Sequence, residues 1–366
     1  MEKSLGKMRK ASIVIGANYG DEGKGTVVAT QTKHAEGSVL NVLTNGGAQR
    51  GHSILTEDGS MTFQHFGSGT YHGADSYYSR FFILNPMQFV KEYNTLIIKP
   101  KHIYRDKACR WSTPYDSMAN MLMEASEGKH GSCGMGIWNT VRRWDTTDTA
   151  IPFDEFIEMD FPYNQAYLDK VKKYYEKMIT IPSNFYDIWD SDILKLHFIE
   201  DCKFMAAHTK VKELSELTHD NLIFENGQGL LLCDTGKDTY DTTPSNTGIL
   251  YSLGLLKELK DVDVTAHYVT RPYLTRHGDG EISNHVHSYG TISKDVKEDR
   301  TNHYNQFQGH FRYGLLDIAE LQKRILEDAR GAKIKIELTH CDEMDRVNEF
   351  KRVFGDVNIY DSPIIK

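Results

Sequence analysis

The sequence predicts an α/β fold with a mainly parallel central sheet. Two observations carry that expectation: short continuous apolar runs of the kind that fill doubly covered strands, and helical segments placed between them along the chain. A third is the glycine-rich stretch lying directly between the first such run and the first helix. At 366 residues the chain exceeds the roughly 250–300 at which one core stops growing. It is expected to be a single large domain over 1–366 that carries inserted segments.

In order, residues 12–15 (SIVI) form the first strand and a helix opens at Thr26. Residues 38–44 (SVLNVLT) form a second strand, broken by Asn45-Gly46-Gly47, and the runs at 81–85 (FFILN) and 95–99 (TLIIK) read as further buried strands. From about 145 to 216 the composition turns rich in Tyr, Lys and Asp. The segments YLDKVKKYYEKMI and DILKLHFIEDCKFMAAH are amphipathic and helical there, which predicts a helical insertion whose Tyr- and Lys-rich part near 167–180 is a solvated face. Strands return at 221–224, 262–269 and 333–338, with a helix over 315–329.

Composition narrows the function classes. Hydrophobic residues at 39% and charged residues at 26% are those of a globular chain, and 43 basic against 51 acidic residues leave a net charge of −8. A chain that acidic has no bulk attraction for nucleic acid, so any phosphate is held in a local pocket. The five cysteines are odd in number, widely spread and lack C-x-x-C spacing, against both a disulfide framework and a zinc site and in favour of a reducing, cytoplasmic setting. The apolar stretch after Lys10 is shorter than a signal core, and no run approaches the roughly 18 residues of a membrane span. The 16 histidines form no H-E-x-x-H, and His285-Val286-His287 reads as an exposed loop.

A strand, a glycine loop and a helix N-terminus in succession make an anion-binding device, because backbone N–H groups and the helix dipole face the loop. The stretch Gly16-Ala17-Asn18-Tyr19-Gly20-Asp21-Glu22-Gly23-Lys24-Gly25 invites comparison with G-x-x-x-x-G-K-[ST]. It departs at both ends: Asn18 stands for the first glycine, and Gly25 for the metal-binding hydroxyl. Gly23 and Lys24 still supply donors for phosphate, and Asp21 is the candidate magnesium ligand. A carboxylate inside a phosphate loop repels the ligand unless a metal or a proton transfer requires it, so Asp21 is also a candidate general base.

Gly20-Asp21-Glu22-Gly23-Lys24-Gly25 after a strand closely resembles the signature of the adenylosuccinate synthetase family. Further blocks follow in order. Gly46-Gly47-Ala48-Gln49-Arg50-Gly51-His52-Ser53 resembles G-G-H-N-A-G-H-T, with Gln49 for Asn and Arg50 for Ala. Ser132-Cys133-Gly134-Met135-Gly136-Ile137, followed by Arg142-Arg143, resembles T-T-G-R-G-I and a downstream arginine. Phe224-Glu225-Asn226-Gly227-Gln228-Gly229 and Thr242-Thr243-Pro244-Ser245-Asn246-Thr247 resemble F-E-G-A-Q-G and V-T-S-S-N-T. Tyr273-Leu274-Thr275-Arg276-His277-Gly278 resembles Y-x-T-R-V-G, Arg312-Tyr313-Gly314-Leu315-Leu316-Asp317 resembles R-T-G-W-L-D, and Leu338-Thr339-His340-Cys341-Asp342 resembles L-T-K-L-D.

The resemblance implies an α/β fold with a P-loop-like nucleotide site and a ligase that joins L-aspartate to C6 of a 6-oxopurine nucleoside monophosphate, driven by nucleoside triphosphate cleavage with Mg2+. It implies catalytic roles for Asp21 (base at N1 and metal ligand), His52 (acid and phosphoryl partner), Lys24 and Gln228 (reader of the 6-oxo edge). Asn18, Gly20, Glu22, Gly23, Gly25, Gly51, His52, Ser53, Thr339 and Asp342 would surround the triphosphate, with the Gly51 carbonyl on the metal. Gln49, Ser132, Cys133, Arg142, Gln228, Thr243 and Arg276 would hold the purine nucleotide, and Arg312 the aspartate. Arg142 would reach across a homodimer.

Gly309 falls where the family's arginine touches the sugar, which relaxes discrimination against deoxyribonucleotides. The compact, substituted chain looks most like the phage branch, which acts on dGMP to make 2-aminoadenine for DNA in the host cytoplasm. Many members of that branch replace the loop aspartate, and this chain keeps Asp21, so dGMP and IMP both stand as acceptors. Asp342 is kept but the family's lysine is His340, so GTP, ATP and dATP all stand as donors. A P-loop phosphotransferase and an inactive nucleotide binder are the readings from other classes.

Overall fold

The computed structural model describes residues 8–56, 59–126, 131–234, 242–278, 280–296 and 308–361. Among these, one sheet of nine strands runs through the molecule: β1 (Arg9–Gly16), β2 (Val39–Leu43), β3 (Asp75–Tyr78), β4 (Ile103–Arg105), β5 (Lys210–Val211), β6 (Asn221–Gly229), β7 (Val262–Thr270), β8 (Lys333–Leu338) and β9 (Val357–Ile359). The spatial order is β9-β8-β7-β1-β6-β2-β3-β4-β5, and every neighbouring pair is parallel.

The chain leaves β1, builds outward through β2 to β5, and returns to insert β6 between β1 and β2. It then crosses to the other side of β1 for β7, β8 and β9. Ligand sites in such sheets form outside the carboxyl ends of the strands where the order reverses. The blocks at 20–25, 46–53, 224–229, 273–278 and 338–342 lie at such an end or shortly beyond it.

Ile13, Val14 and Ile15 on β1 are fully buried, as a strand covered on both faces requires. One face packs with Phe224, Tyr268 and Leu338 in a core that includes the helix Ile318–Ala329 through Leu321 and Ile325. On the other face Val14, Ile223 and Val269 meet Val27 and Val28 of α1 (Lys24–His34). A second core gathers Trp111, Tyr115, Tyr167, Leu168, Trp189, Phe198 and Cys202. There the helices α5 (Phe153–Glu158), α6 (Tyr163–Glu176), α7 (Tyr186–Trp189) and α8 (Asp192–His208) pack with α2 (Pro86–Thr95) and α3 (Pro114–Ser126). Side chains from 145–216 and from the flanking chain thus fill one cluster, and Asp116 with Arg143 form a fully buried ion pair inside it at 2.8 Å.

Two expected strands are corrected. Residues 95–99 are no strand: Thr95 ends α2, and Ile97 and Ile98 are exposed. The helix was signalled by Asn85-Pro86, where the Asn85 side chain accepts the Gln88 amide hydrogen at 3.0 Å and proline occupies the first turn. Of residues 81–85, Ile83 and Leu84 pair with Arg110–Trp111 in a separate two-stranded ladder, and Phe82 makes an isolated bridge to Gly46. The helix expected from Leu315 starts at Ile318, because Asp317 caps it by accepting from the Ala319 and Glu320 amides. His285 and Val286, expected in a loop, form a short strand against Arg312–Gly314.

Candidate active site

The loop after β1 folds back on itself. Gly20 (φ +114°) and Gly23 (φ +91°) take left-handed conformations that favour glycine, and Gly23 caps α1. Oε1 of the buried Glu22 carboxylate accepts from the Asn18 and Gly20 amides at 3.0 and 2.9 Å, filling the nest that the loop offers to an anion. Lys24 turns inward and donates to the carbonyls of Gly20 (2.6 Å) and Gln228 (2.7 Å). Burial lowers its ammonium pKa, with Glu22 and Asp21 working in the opposite direction. The Asn18 amide bonds Thr270 Oγ1 and Arg324.

Asp21 is the loop carboxylate that faces outward. Burial acts to raise its pKa, but His277, Arg271 and Lys24 outweigh burial and hold it below the ordinary carboxylate range. Its Oδ2 lies 3.1 Å from His277 Nδ1, and its carbonyl accepts from Arg271 Nε at 2.7 Å.

The absence of a hydroxyl at Gly25 has a steric cause. A Cβ there would lie 2.6 Å from the Ser53 carbonyl, so the hairpin His52–Thr56/Gly59–Phe63 packs against α1 only because the position is glycine. That approach brings His52 beside the loop. His52 Nδ1 lies 2.5 Å from Glu225 Oε1, and Arg50 Nη2 lies 3.2 Å from the same oxygen, with the Arg50 and Glu225 side chains fully buried. Ser53 Oγ pairs with Thr62 Oγ1 at 2.8 Å.

At the end of β6 the register against β1 slips between Val14 and Gly16, and Gln228 sits in the slipped segment with φ +57°. Such an irregularity re-aims a side chain. A Cβ on Gly46 would meet Gln49 Nε2 at 3.1 Å and Gln228 Oε1 at 3.3 Å, so the two amides converge there. Gln228 Oε1 and both amide atoms of Gln49 are buried without a hydrogen-bond partner.

These groups line one cavity of about 460 Å³, whose wall includes Gly20, Asp21, Gln49, Gly51, His52, Ser53, Ser132, Cys133, Gln228, Thr243, Arg276 and His277. Ser132 Oγ donates to Asn120, and burial raises the Cys133 thiol to about 11. Arg276 donates to the Glu281 carbonyl and lies over the Tyr19 ring at 4.9 Å. Trp138 on α4 (Ile137–Thr146) donates to the Thr242 carbonyl at 2.8 Å and ties the two blocks together.

Other expected site residues lie off this wall. Asn18, Glu22, Gly23, Lys24 and Gly25 form its inner support. Thr339 is buried behind it, donating to the Glu22 carbonyl at 2.7 Å and flanking Gly23, while Asp342 is exposed beyond it. Arg142 is half-buried on α4, whereas its neighbour Arg143 is consumed by the Asp116 pair. Arg312 is half-buried and donates to the Gly278 carbonyl, one residue from His277. His277, Glu225 and Arg50 carry no expected role from the sequence, although all three stand inside matched blocks.

Fold and cavity together define an α/β protein with a concave site at the carboxyl ends of parallel strands. Within that class the chain belongs to the adenylosuccinate synthetase family, whose model matches residues 13–354. The adenylosuccinate synthetase of Acaryochloris marina is 25% identical over 304 residues, covering 75% of this chain and 62% of that protein. That of Trichlorobacter lovleyi is 27% identical over 282 residues, covering 71% and 62%. The chain thus spans about 62% of the length of these relatives. Among solved structures, fully ligated adenylosuccinate synthetase from Plasmodium falciparum superposes with a TM-score of 0.66 at 21% identity, covering 93% of this chain and 78% of that one. The cyanophage S-2L succinoaminodeoxyadenylate synthetase, bound to dGMP and to dATP as an energy donor, gives 0.65 at 11% identity, covering 98% and 94%. Both likenesses are likenesses of fold.

Proposed function

We propose that this protein is a C–N ligase that condenses L-aspartate with C6 of a 6-oxopurine nucleoside monophosphate at the expense of a nucleoside triphosphate. The observation that carries the reading is the pair of buried, unpartnered glutamine amides converging beside an ionised aspartate. A purine edge with a 6-oxo acceptor and an N1–H donor matches an amide, which both donates and accepts, and a carboxylate.

In this reading Asp21 takes the N1 proton, and the resulting 6-oxyanion attacks the γ-phosphorus, releasing the nucleoside diphosphate. Aspartate, steered by Arg312, then adds its amine to C6, and phosphate leaves. The Asp21 carboxylate and Gly51 carbonyl are hard oxygens on the cavity wall, suited to a magnesium ion whose other positions are filled by phosphate and water. Among the described residues no cluster of three His, Cys, Asp or Glu competes for a softer metal. Bound there, Mg2+ would offset charge on the transferring phosphoryl group. Ser132, Cys133, Thr243 and Arg276 would hold the 5′-phosphate side, with Arg142 reaching it across a homodimer, and Thr339 and Asp342 would lie toward the donor base.

The acceptor proposed is dGMP, making the product 2-amino-2′-deoxyadenylosuccinate. The near full-length coverage of the S-2L enzyme supports it, as does Gly309 at the expected sugar contact. IMP is the second acceptor, favoured by the retained Asp21. GTP, ATP and dATP are the donors to compare. Phosphate release dependent on aspartate, measured across IMP, dIMP, GMP and dGMP with each donor, tests the reading. Nucleoside diphosphate formed without aspartate would make the protein a phosphotransferase, and none formed with any pair would leave a nucleotide binder.

A further inference from the structure

Among the described residues other than glycine, Gln228, Asp261, Asn284, Arg330 and His340 have φ in the left-handed region, and of these only Gln228 lines the cavity. That conformation is unfavourable for a residue with a Cβ, and it persists only where the surroundings over-determine it. The Gln228 side chain does not do so, because its Oε1 is buried without a hydrogen-bond partner. Where the amide points is therefore decided by what grips the backbone.

Two side chains grip it, one on each peptide that flanks Gln228. Asn45, in the turn after β2, takes the near side: its Oδ1 accepts from the Gly227 amide at 2.9 Å, and its Nδ2 donates to the Gly227 carbonyl at 3.4 Å. That carbonyl belongs to the rigid peptide joining Gly227 to Gln228, whose orientation sets φ of Gln228. Lys24 takes the far side by donating to the Gln228 carbonyl at 2.7 Å, which sets ψ. Thr247 Oγ1 then holds the Gly229 carbonyl at 2.9 Å.

Asn45 is itself fixed. It is wholly buried, and its Nδ2 also donates to Ser245 Oγ at 3.0 Å, so the side chain ties the 224–229 and 242–247 blocks to its own turn. The next residue anchors that turn: the Gly46 carbonyl accepts from the Ile83 amide at 2.7 Å, and Gly46 bridges Phe82. Gly46 is also where the Gln49 and Gln228 amides converge. One short turn thus backs both amides and, through Asn45, sets the backbone of one of them. Asn45 stands behind the cavity wall and has no expected role from the sequence beyond breaking a strand.

We propose that Asn45 is a positioning residue that holds the Gly227–Gln228 peptide, so that Gln228 stays left-handed and its amide faces the 6-oxo edge of the acceptor purine. This deepens the reading of Gln228 given above and rests on it for what the amide recognises. The grip on the backbone is independent of any ligand.

The test is Asn45→Leu, which has a similar branched outline but neither donates nor accepts. Crystals of the unliganded full-length variant should show Gln228 out of the left-handed region and its amide away from Gly46. Calorimetry supplies the second readout. Wild type should bind dGMP more tightly than 2-aminopurine 2′-deoxyriboside 5′-monophosphate, and IMP more tightly than purine riboside 5′-monophosphate, analogues that keep sugar and phosphate but lack the 6-oxo group. The variant should lose roughly 3–10-fold of that preference, the worth of one hydrogen bond, while binding the analogues as wild type does. Asn45→Ala reads the same two quantities if the leucine variant does not fold. A folded variant that keeps Gln228 left-handed, keeps the full preference, or weakens both members of each pair alike overturns the proposal. A wild type without the preference, in which the Asn45 variant still releases Gln228, would overturn the proposed acceptor and leave Asn45's role intact.

Discussion

On the cavity wall the glycine loop has bonded its amide donors to its own Glu22 side chain, whereas the adjoining pair of glutamine side-chain amides has buried atoms without a hydrogen-bond partner. Glu22 occupies the Asn18 and Gly20 amides, and Lys24 is held by two carbonyls. Gln49 and Gln228 instead converge beside Gly46 with unpartnered atoms. A buried polar group without a partner costs about 1–3 kcal/mol, and a ligand that pairs it recovers that cost. A ligand at the loop must displace bonds already made, so its gain is a small difference. The glutamine amides are thus preorganised for recognition, whereas the loop beside them is closed on itself and must exchange partners.

The sharpest break of that contrast is at Asp21, the loop side chain that points out. Asp21→Asn keeps the size and the contact to His277 but cannot take a proton. Aspartate-dependent phosphate release should fall by about 10²–10⁴-fold, the usual worth of a positioned base, with triphosphate binding retained. Next are the glutamine amides. Gln49→Met removes unpaired atoms at nearly constant volume, so the free protein should be stabilised by about 1–3 kcal/mol in a denaturant melt. Calorimetry should at the same time show dGMP or IMP binding weakened. A variant that loses both stability and affinity would mean that the amide is structural.

A third test probes the support behind the loop. Gly25→Ser restores the hydroxyl of a P-loop on paper, yet its Cβ would stand 2.6 Å from the Ser53 carbonyl. Overpacking of this kind costs about 1–3 kcal/mol, to be read as a lower midpoint in denaturant, with no gain in magnesium affinity.

How much of this was legible in the sequence follows from what each feature depends on. β1, its loop and β6 were legible because a continuous apolar run and glycines are local signals. The strand Asp75–Tyr78 was not, since DSYY is buried by neighbours far away in sequence. Residues 95–99 misled because isoleucines attract a strand reading, while the deciding signal was the Asn85-Pro86 cap upstream. Within the site, residue types marked Asp21, His52 and Gln228, but a sequence shows a charge without showing what satisfies it. Lys24 was expected on phosphate and lies on the chain's own carbonyls; Arg50 stood out as a departure beside the purine and points inward to Glu225. His277 was hidden because the contact that gives it meaning spans 256 positions.

That contact gives the smallest effect and the finest division between the two regions, because it asks what keeps the outward-facing carboxylate ionised. Burial alone would raise the Asp21 pKa; the His277 ring at 3.1 Å, with Arg271 and Lys24, reverses that. His277→Val, which installs the residue of the matched family motif, removes the largest opposing influence and lets burial act. The Asp21 pKa then rises, and a base that must be ionised is lost at a higher pH as conditions are made acid. The acid limb of the pH–rate profile should move to higher pH, while turnover well above it stays near wild type, since Asp21 is ionised there in both proteins. His277→Asn, which keeps a donor, should move the limb less. An unchanged limb together with a uniform drop at every pH would place His277 in substrate binding, with no part in tuning the base.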